Sequence, residues 1–593
     1  MMRALAWLAL TCALPAHAID RIHLHAASVS AADIGLVDVD AALLIRGKEQ
    51  SVVDLRATRV VLPQAVEAQS GTITGLHLVC SNPVVIEPRF ECPAFDLQAS
   101  SSRWSAIHAE GDAGFRSDTG AYTANGNGLQ IAGRPLTFSV AGDASGMQAQ
   151  AQLHDLQLPQ VQEFLVAQKV ALPDLTYTGT GDLGVHISRR GEDFTATIDL
   201  SIRDAGYQNA DYTLIGEKLA FTVQATANLA GTPMTFESRI ASAMGQALVG
   251  PVLLDFGKNP LQLTVSGKYS PQAVELTSFR GEQRELATVT GSAQLNLAPF
   301  AVKEASIDAT DIRFPAAYAA YMKLMLATTP FNQLDATGTA TLHAELRDSL
   351  PVLLDFAAES LAFSDVSRDL KVDGVSSEVH WTRGLTGPPR PSWLSWESSR
   401  GWGIVGARSR IDFTLQDRDF HLIQPARLPF FDGALRINTL AAEQIGTEAM
   451  SGVFDAVIEP ISVGPIAKAL GLPEFAGQLS GRIPGLTYQN KILSLQGNLE
   501  ADVFDGHVTA SNLRIREPLG AWPRLYGDIV ARNLDLKLLT STFEFGSITG
   551  RLDVDLTGLE TFNWSPVAFD LKLATPKGDK SKHRISQRAV QNL

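Results

Sequence analysis

The stretch that decides the fold is residues 431–556, which contain one unit written twice. The first copy opens with Phe431-Asp432-Gly433-Ala434-Leu435, and the second opens with Phe504-Asp505-Gly506-His507-Val508. In both copies an apolar run (456–463 or 529–536), a short helical stretch (465–470 or 537–543) and a closing strand (479–483 or 548–552) follow the Asp-Gly turn signal. A sequence repeat with so long a period is typical of repeat proteins, in which each unit stacks on its neighbour and extends a shared core.

The closing strand has two weaker relatives upstream, and a helical stretch precedes each of them, at about 161–170 and 316–327. In both relatives a small residue lies between two apolar residues, at the same sequence separations as in the closing strand. This pattern suggests two further repeat units. The alternative is that short apolar-glycine patterns arise by chance in a β protein. The sets are Leu175, Gly181 and Leu183, then Leu334, Ala340 and Leu342, to be compared with Phe475, Gly481 and Ile483.

Most of the chain alternates apolar and polar residues with a period of two, the pattern of strands with one apolar and one wet face. Turn signals separate these runs at hairpin intervals, and no rhythm of alternating strands and helices is present, so the sheet should be mainly antiparallel. The apolar positions of the clearest runs are Phe194, Ala196, Ile198, Leu200, Ile202, Leu219, Phe221, Val223, Leu229, Leu261, Leu263, Val265, Leu552, Val554 and Leu556.

These patterns predict a mainly β fold: an elongated, curled antiparallel sheet with a few short helices. One-faced strands that follow one another for so long must share an apolar surface, and roughly 35 to 40 of them at about 4.8 Å each would extend roughly 170 to 190 Å. A curled sheet of this kind is a trough lined by the apolar positions named above. The expected divisions are a signal segment (1–18), an N-terminal β region with a disulfide hairpin (19–150), a central groove region (151–430), two repeat units (431–575) and a basic tail (576–593).

The N-terminus reads as a secretory signal, because Arg3, an apolar run and Ala16-His17-Ala18 predict cleavage before Ile19. Retention of this segment as an inner-membrane anchor is the alternative. After cleavage only Cys80 and Cys92 remain, on short strands either side of a turn, so an oxidising compartment predicts a structural disulfide between them.

The charge of the chain limits which partners it can bind. The net charge of −14 at pH 7 repels phosphate backbones, so nucleic acid is not an expected partner. The basic residues Lys577, Lys580, Lys582, Arg584 and Arg588 read as a solvated linker, with anionic-lipid contact as the alternative.

We expect no catalytic residue, metal or cofactor, and therefore no enzyme. The Gly-x-Gly-x-x-Gly match at 179–184 precedes strand-like residues rather than the helix that a dinucleotide needs. His23 and His25 share a strand face, but no third metal ligand is near them in sequence. The four tryptophans Trp381, Trp393, Trp396 and Trp402 read as core filling beneath a proline-rich excursion, with a membrane interface as the alternative.

The C-terminal part resembles the AsmA-like proteins of Gram-negative bacteria, most closely the YdbH type and more distantly TamB. The resemblance rests on the segments 533–536, 545–552, 564–570 and 584–590. It implies a repeating β-groove that bridges the inner and outer membranes through the periplasm and carries phospholipid between them. Such proteins usually hold the inner membrane by an N-terminal helix, from which the cleavable-looking signal departs, and the abrupt end after Ala589-Val590 suggests that the last strands are missing.

Two hypotheses of different classes follow. The first is a phospholipid conduit, which predicts large apolar side chains along the concave face of the sheet. The second is a periplasmic scaffold or envelope-protein assembly factor without lipid cargo, which predicts a filled core and polar grooves. A small outer-membrane lipoprotein, or another envelope protein pairing with a sheet edge, is a further expected partner.

Overall fold

The computed structural model describes residues 20–31, 34–45, 51–62, 67, 70–103, 106–168, 170, 172–231, 233–250, 252–297, 299–324, 326–327, 333–366, 369–401, 403–469, 474, 477–518, 522–542 and 546–592. The signal segment, its cleavage site before Ile19 and Trp402 lie outside these residues. The expected fold class is confirmed: the protein is 71% strand and 7% helix. Within the described ranges, 37 strands belong to one sheet whose pairings are almost all antiparallel.

The chain divides into two compact units, Met1–Arg284 with Gly291–Ala301, and Glu285–Thr290 with Val302–Leu593. In the first unit the structure describes the helix α1 (Leu158–Ala167). Its strands are β1 (Arg21–Ala31), β2 (Ile34–Ile45), β3 (Ser51–Val61), β4 (Ile73–Ser81), β5 (Val84–Ile86), β6 (Arg89–Ser101), β7 (Ile107–Arg116), β8 (Tyr122–Ile131), β9 (Arg134–Asp143), β10 (Gly146–Gln157), β11 (Thr176–Arg190), β12 (Asp193–Gln208), β13 (Leu214–Asn228), β14 (Met234–Val249), β15 (Val252–Asp255), β16 (Leu261–Tyr269) and β17 (Ala273–Gln283).

Residues of both units occur in β18 (Ala287–Leu297) and β19 (Phe300–Phe314). The second unit continues with a π-helix (Tyr318–Met322), β20 (Asp335–Arg347), β21 (Leu350–Asp365), β22 (Leu370–Thr382), β23 (Pro391–Trp396), β24 (Ser398–Gly401), β25 (Ile404–Gly406), β26 (Ser409–Gln416), β27 (Asp419–Leu422), β28 (Ala426–Phe430), β29 (Gly433–Glu443) and β30 (Ser451–Ser462). It ends with α2 (Val463–Ala469), β31 (Gly477–Gln489), β32 (Ile492–Leu495), β33 (Leu499–Val503), β34 (Gly506–Arg516), β35 (Arg524–Asp535), α3 (Leu536–Thr542), β36 (Ile548–Thr549), β37 (Arg551–Phe562), β38 (Ser565–Ala574), β39 (Arg584–Ile585) and α4 (Gln587–Asn592).

The two copies of the sequence repeat have related orders of helices and strands. In the first copy, β29 and β30 are followed by α2 and β31; in the second, β34 and β35 are followed by α3, the two-residue strand β36 and β37. The two upstream relatives have the same order, since α1 lies between β10 and β11, and the π-helix lies between β19 and β20. In three units the two strands that flank the helix pair antiparallel with each other, and in the last unit β35 pairs antiparallel with β37, which follows the two-residue strand β36.

A left-handed residue interrupts many strands, and the pairing register shifts at that point. The residue after it is commonly buried: Leu156 follows Asp155, and Leu219, which is 1% exposed, follows Lys218. An extra residue of this kind is a β-bulge, which bends the strand and increases its twist. The left-handed residues at register shifts include Asp155, Asp204, Lys218, Asp311, Ser360, Asn512 and Asn533.

Each bulge frees a backbone N–H, and a polar side chain on the next strand accepts it at several of them. Asp155 N–H donates to Asp182 Oδ1 over 3.0 Å, and Asn533 N–H donates to Asp553 Oδ1 over 2.8 Å. At another bulge a neighbouring glycine makes room: a Cβ on Gly245, whose φ is +88°, would lie 2.6 Å from Leu219 Cα. The bulges are therefore built features with partners on the adjacent strand.

The buried core consists of separate clusters, and four of these centre on bulges. One contains Ala205, Leu219, Ala247 and Phe256, and another contains Ala340, Ala358, Leu361 and Val375. Helices cover the other two, because Val161 and Phe164 of α1 pack on Leu153 and Leu156, and Leu539 of α3 packs on Ala531 and Leu534. The core thus follows the bulged and helix-covered ends of the strands.

The disulfide prediction is confirmed. Cys80 lies near the end of β4 and Cys92 on β6, the bonded pair has a Cα–Cα distance of 5.8 Å, and the short strand β5 forms the hairpin between them.

The interpretation of the basic tail as a solvated linker is wrong for residues 584–592. Arg584 and Ile585 pair with β36, and Ala589 of α4 is fully buried. The packing depends on a glycine, because a Cβ on Gly546 would lie 2.4 Å from Ala589 N. Among the described residues, no helix is long and apolar enough to cross a membrane.

Candidate functional site

A row of large apolar side chains crosses five strands of the first unit in register. Directly opposed Cα atoms join Leu183 to Leu200, Leu200 to Val223, Val223 to Ile240 and Ile240 to Leu263, on β11, β12, β13, β14 and β16. Opposed residues of antiparallel strands point to the same face of the sheet, so the five side chains lie side by side. We call this row the apolar strip.

The strip is partly covered. All five of its residues are intermediate in exposure, neither buried nor exposed. At about 4.8 Å per strand, its outer members are about 19 Å apart. Half of a bilayer's hydrocarbon core is about 15 Å thick, so the strip is longer than the hydrocarbon layer of one leaflet is thick.

The sequence-derived groove residues divide into two sets along the strands. Those near the bulges belong to the core: Leu219 is buried, Ile202, Phe221 and Leu261 pack on its cluster, and Leu552 and Val554 pack on the cluster of α3. Ala196 is also buried. The remaining residues are half-buried: Phe194, Ile198, Leu200, Val223, Leu229, Leu263, Val265 and Leu556.

A similar row crosses the second unit near its last strands. Leu499, Ala510, Ile529, Leu556 and Leu571 are opposed in register on β33, β34, β35, β37 and β38. Exposure rises at β38, where Leu571 is 49% exposed. The same strand also exposes Val567, Phe569 and Leu573 on this face. No described strand pairs with its other edge.

The opposite face of the first unit is polar. On β13 the residues that alternate with the strip are Thr222, Gln224, Thr226 and Asn228, all exposed. Ion pairs lie on this face too: the guanidinium of Arg203 hydrogen-bonds Asp182 and holds the pKa of that carboxyl below its usual value, helped by the Asp155 N–H. The alternation seen in sequence therefore separates an apolar face from a wet one.

Motifs that suggested other chemistry have structural explanations. The Gly-x-Gly-x-x-Gly match lies within β11, which runs on to Arg190, so it does not open a helix. Trp396 packs on the core cluster of Leu361, in agreement with the core-filling interpretation, and Trp381 Nε1–H donates to the Asp417 carbonyl over 2.9 Å.

The neighbours of the histidines were missed from sequence. Asp40, on the next strand, lies 3.5 Å from His23 Nε2 and 3.1 Å from His25 Nδ1. A second group combines the half-buried Asp96 with the exposed His108 and Glu110, and their possible ligand atoms are all within 4.8 Å of one another. Both groups are made by cross-strand pairing, which sequence spacing does not reveal.

The geometry defines a class: a repetitive β protein with a wet face and a partly open apolar face. In comparisons with known proteins, neither a family model nor a curated protein sequence matches the chain.

Proposed function

We propose that this protein carries phospholipids between the inner and outer membranes through the periplasm, with their acyl chains lying against the apolar face of its sheet. The observation that carries the proposal is the apolar strip, in which five large side chains stand in register and remain partly accessible to solvent. The resemblance of the C-terminal segments to AsmA-like proteins supports the same assignment. The disulfide is compatible with an oxidising compartment.

The energetic reason is the cost of exposing lipid tails to water. Each methylene contributes about 0.8 kcal/mol, so a sixteen-carbon chain exposes roughly 12 kcal/mol. An apolar surface that accompanies the chain removes most of this cost without a reacting group. The protein would thus act by solvation, which agrees with the absence of a catalytic motif in the sequence.

The partners in this proposal are phospholipids and the two membranes. The exposed apolar strand β38 favours a further partner, a small outer-membrane lipoprotein or envelope protein that adds a strand to this edge. The competing hypothesis is a scaffold without lipid cargo. A polar depression of about 380 Å³ on β7–β10, lined by Glu110, Asp112, Asn125 and Gln150 among others, favours that hypothesis.

Two measurements separate these functions. Mass spectrometry of organic extracts should find phospholipid co-purifying with the mature protein, and the purified protein should speed the transfer of a fluorescent phospholipid between vesicles. A protein that carries no phospholipid and transfers none would be assigned to the scaffold class. Replacing Val223 on the strip, with Thr222 as the matched control on the wet face, tests the route itself.

A further inference from the structure

Two tryptophans are exposed at one corner of the second unit. Trp522 lies in the turn before β35 and is 59% exposed, and Trp564 lies at the tip of the β37–β38 hairpin and is 60% exposed. Phe562, two residues before Trp564 in sequence, stacks on Trp522, with ring centroids 5.7 Å apart and planes 9° from parallel. We call these three residues the aromatic corner.

The two turns that carry the corner are fastened together. Asn563 N–H donates to the Pro523 carbonyl over 2.9 Å, and Leu525 N–H donates to Thr561 Oγ1 over 3.2 Å. Trp564 itself has a φ of +66°, a left-handed conformation in which a hairpin turn favours glycine or asparagine. The fold therefore holds a large aromatic side chain in water, on a backbone that does not suit it.

One arginine contacts the aromatic corner, and two more lie on the neighbouring strand. Arg524 lies over the Phe562 ring at 5.3 Å, and Arg516 is opposed to Arg524 in register on the next strand. Arg514, two residues earlier, lies over the Tyr526 ring at 5.9 Å. Neither Arg514 nor Arg516 makes an ion pair with a described residue, although the whole chain carries a net charge of −14.

Carboxylates at this corner are fewer. Glu560 lies 3.5 Å from Arg524, and Glu517 is exposed at the end of the turn. The three arginines thus leave a local excess of positive charge beside uncovered aromatic rings. Tryptophan favours the bilayer interface, and arginine favours phosphate, which it can bind through two parallel hydrogen bonds.

We propose that the aromatic corner, with Arg514, Arg516 and Arg524, docks this end of the second unit on an anionic phospholipid bilayer. The rings would enter the headgroup region while the guanidinium groups bind lipid phosphates. The proposal deepens the membrane part of the proposed function, on which it rests, but it uses none of the residues of the apolar strip. It therefore has an independent test.

The test is flotation of the mature protein with vesicles of phosphatidylcholine, with and without phosphatidylglycerol. The wild type should float with the anionic vesicles and bind them less in high salt, because screening weakens the arginine contribution. Trp522→Ala with Trp564→Ala should lower vesicle binding ten-fold or more, and Arg516→Ser should lower it about five-fold. The matched control is Phe300→Ala, which removes a similarly exposed ring from β19 and should leave binding unchanged.

A fluorescence measurement gives a second readout. Brominated acyl chains should quench Trp522 and Trp564 in the wild type, and Trp522→Phe with Trp564→Phe should remove that quenching.

Wild-type protein that does not float would overturn the proposal and leave a protein partner as the occupant of the corner. Equal flotation of the double alanine variant, with its far-ultraviolet circular dichroism intact, would overturn it too. Val223→Asp should float like the wild type, so that loss of transfer and loss of docking are distinguished.

Discussion

A charge placed on the apolar strip should stop lipid passage in a pH-dependent way. Val223 is half-buried on β13, with Leu200 directly opposite on one side and Ile240 on the other. In Val223→Asp, an acyl chain can cover the strip only after the carboxyl is desolvated or protonated. Protonation is the cheaper route, because the penalty for burying an unpaired ion is several kcal/mol or more.

The magnitude follows from the ordinary pKa of aspartate. With a pKa near 3.9 and 1.36 kcal/mol per unit, protonation at pH 7 costs about 4 kcal/mol, which slows passage about a thousand-fold. At pH 5 the same step costs about 1.5 kcal/mol, so the defect should shrink to roughly ten-fold. The cost to folding should be smaller, about 1 to 2 kcal/mol, because Val223 is only half-buried.

The assay is fluorescent phospholipid transfer between vesicles at pH 7 and pH 5, with circular dichroism as a check on folding. Thr222→Asp is the matched control, since Thr222 is exposed on the other face of the same strand. Val554→Asp would be less informative, because Val554 packs on a core cluster. Asp553→Lys is a poor control, because Asp553 accepts the Asn533 N–H at a bulge. Equal loss of transfer in Val223→Asp and Thr222→Asp, or a defect that pH does not change, would refute the route along the strip.

Three further predictions concern stability. Cys80→Ser with Cys92→Ser should lower the free energy of unfolding by about 3 kcal/mol in urea, since the bond closes a loop of 12 residues; an unchanged midpoint under reducing conditions would contradict this. Lys218→Val should destabilise by about 2 kcal/mol because a β-branched residue does not suit its φ of +51°, whereas Lys218→Gly should be neutral or stabilising; thermal melts that rank the two equally would oppose it. Asp182 has a lowered pKa because of Arg203, so its contribution is present above about pH 4 and lost as pH falls below that value; acid titration of Asp182→Asn should show a shallower loss than the wild type.

Much of the fold could be predicted from local sequence patterns. Alternation at positions such as Leu261, Leu263 and Val265 identified strands and their apolar face, because a period of two is a property of the strand itself. The repeat was visible because both copies keep the turn at Gly433 and Gly506 and the helix that follows the second strand. The pairing of the two cysteines could be predicted because no other cysteine remains after signal cleavage and because the expected compartment is oxidising.

The features that sequence did not reveal depend on cross-strand partners. The bulge at Lys218 has no sequence signal, since lysine seldom adopts a left-handed conformation, and Gly245 across the strands accommodates it. For the same reason the sequence did not distinguish the groove residues from one another, although Leu219 is buried in the core and Val223 is only half-buried. Asp40 beside His25, and the docking of Ala589 on Gly546, also required the register or the folded tail.

The bulges have a consequence for how such a chain can change in length. A plain strand can slide by two residues and keep its apolar side chains on one face, but a bulge with an accepted N–H, as at Asp155 and Asn533, has only one matching partner position. Copying a whole strand–helix–strand unit therefore adds strands without displacing those on either side. Gene duplication could thus lengthen such a protein in fixed steps, and the two copies in residues 431–556 have the spacing that one such step would leave.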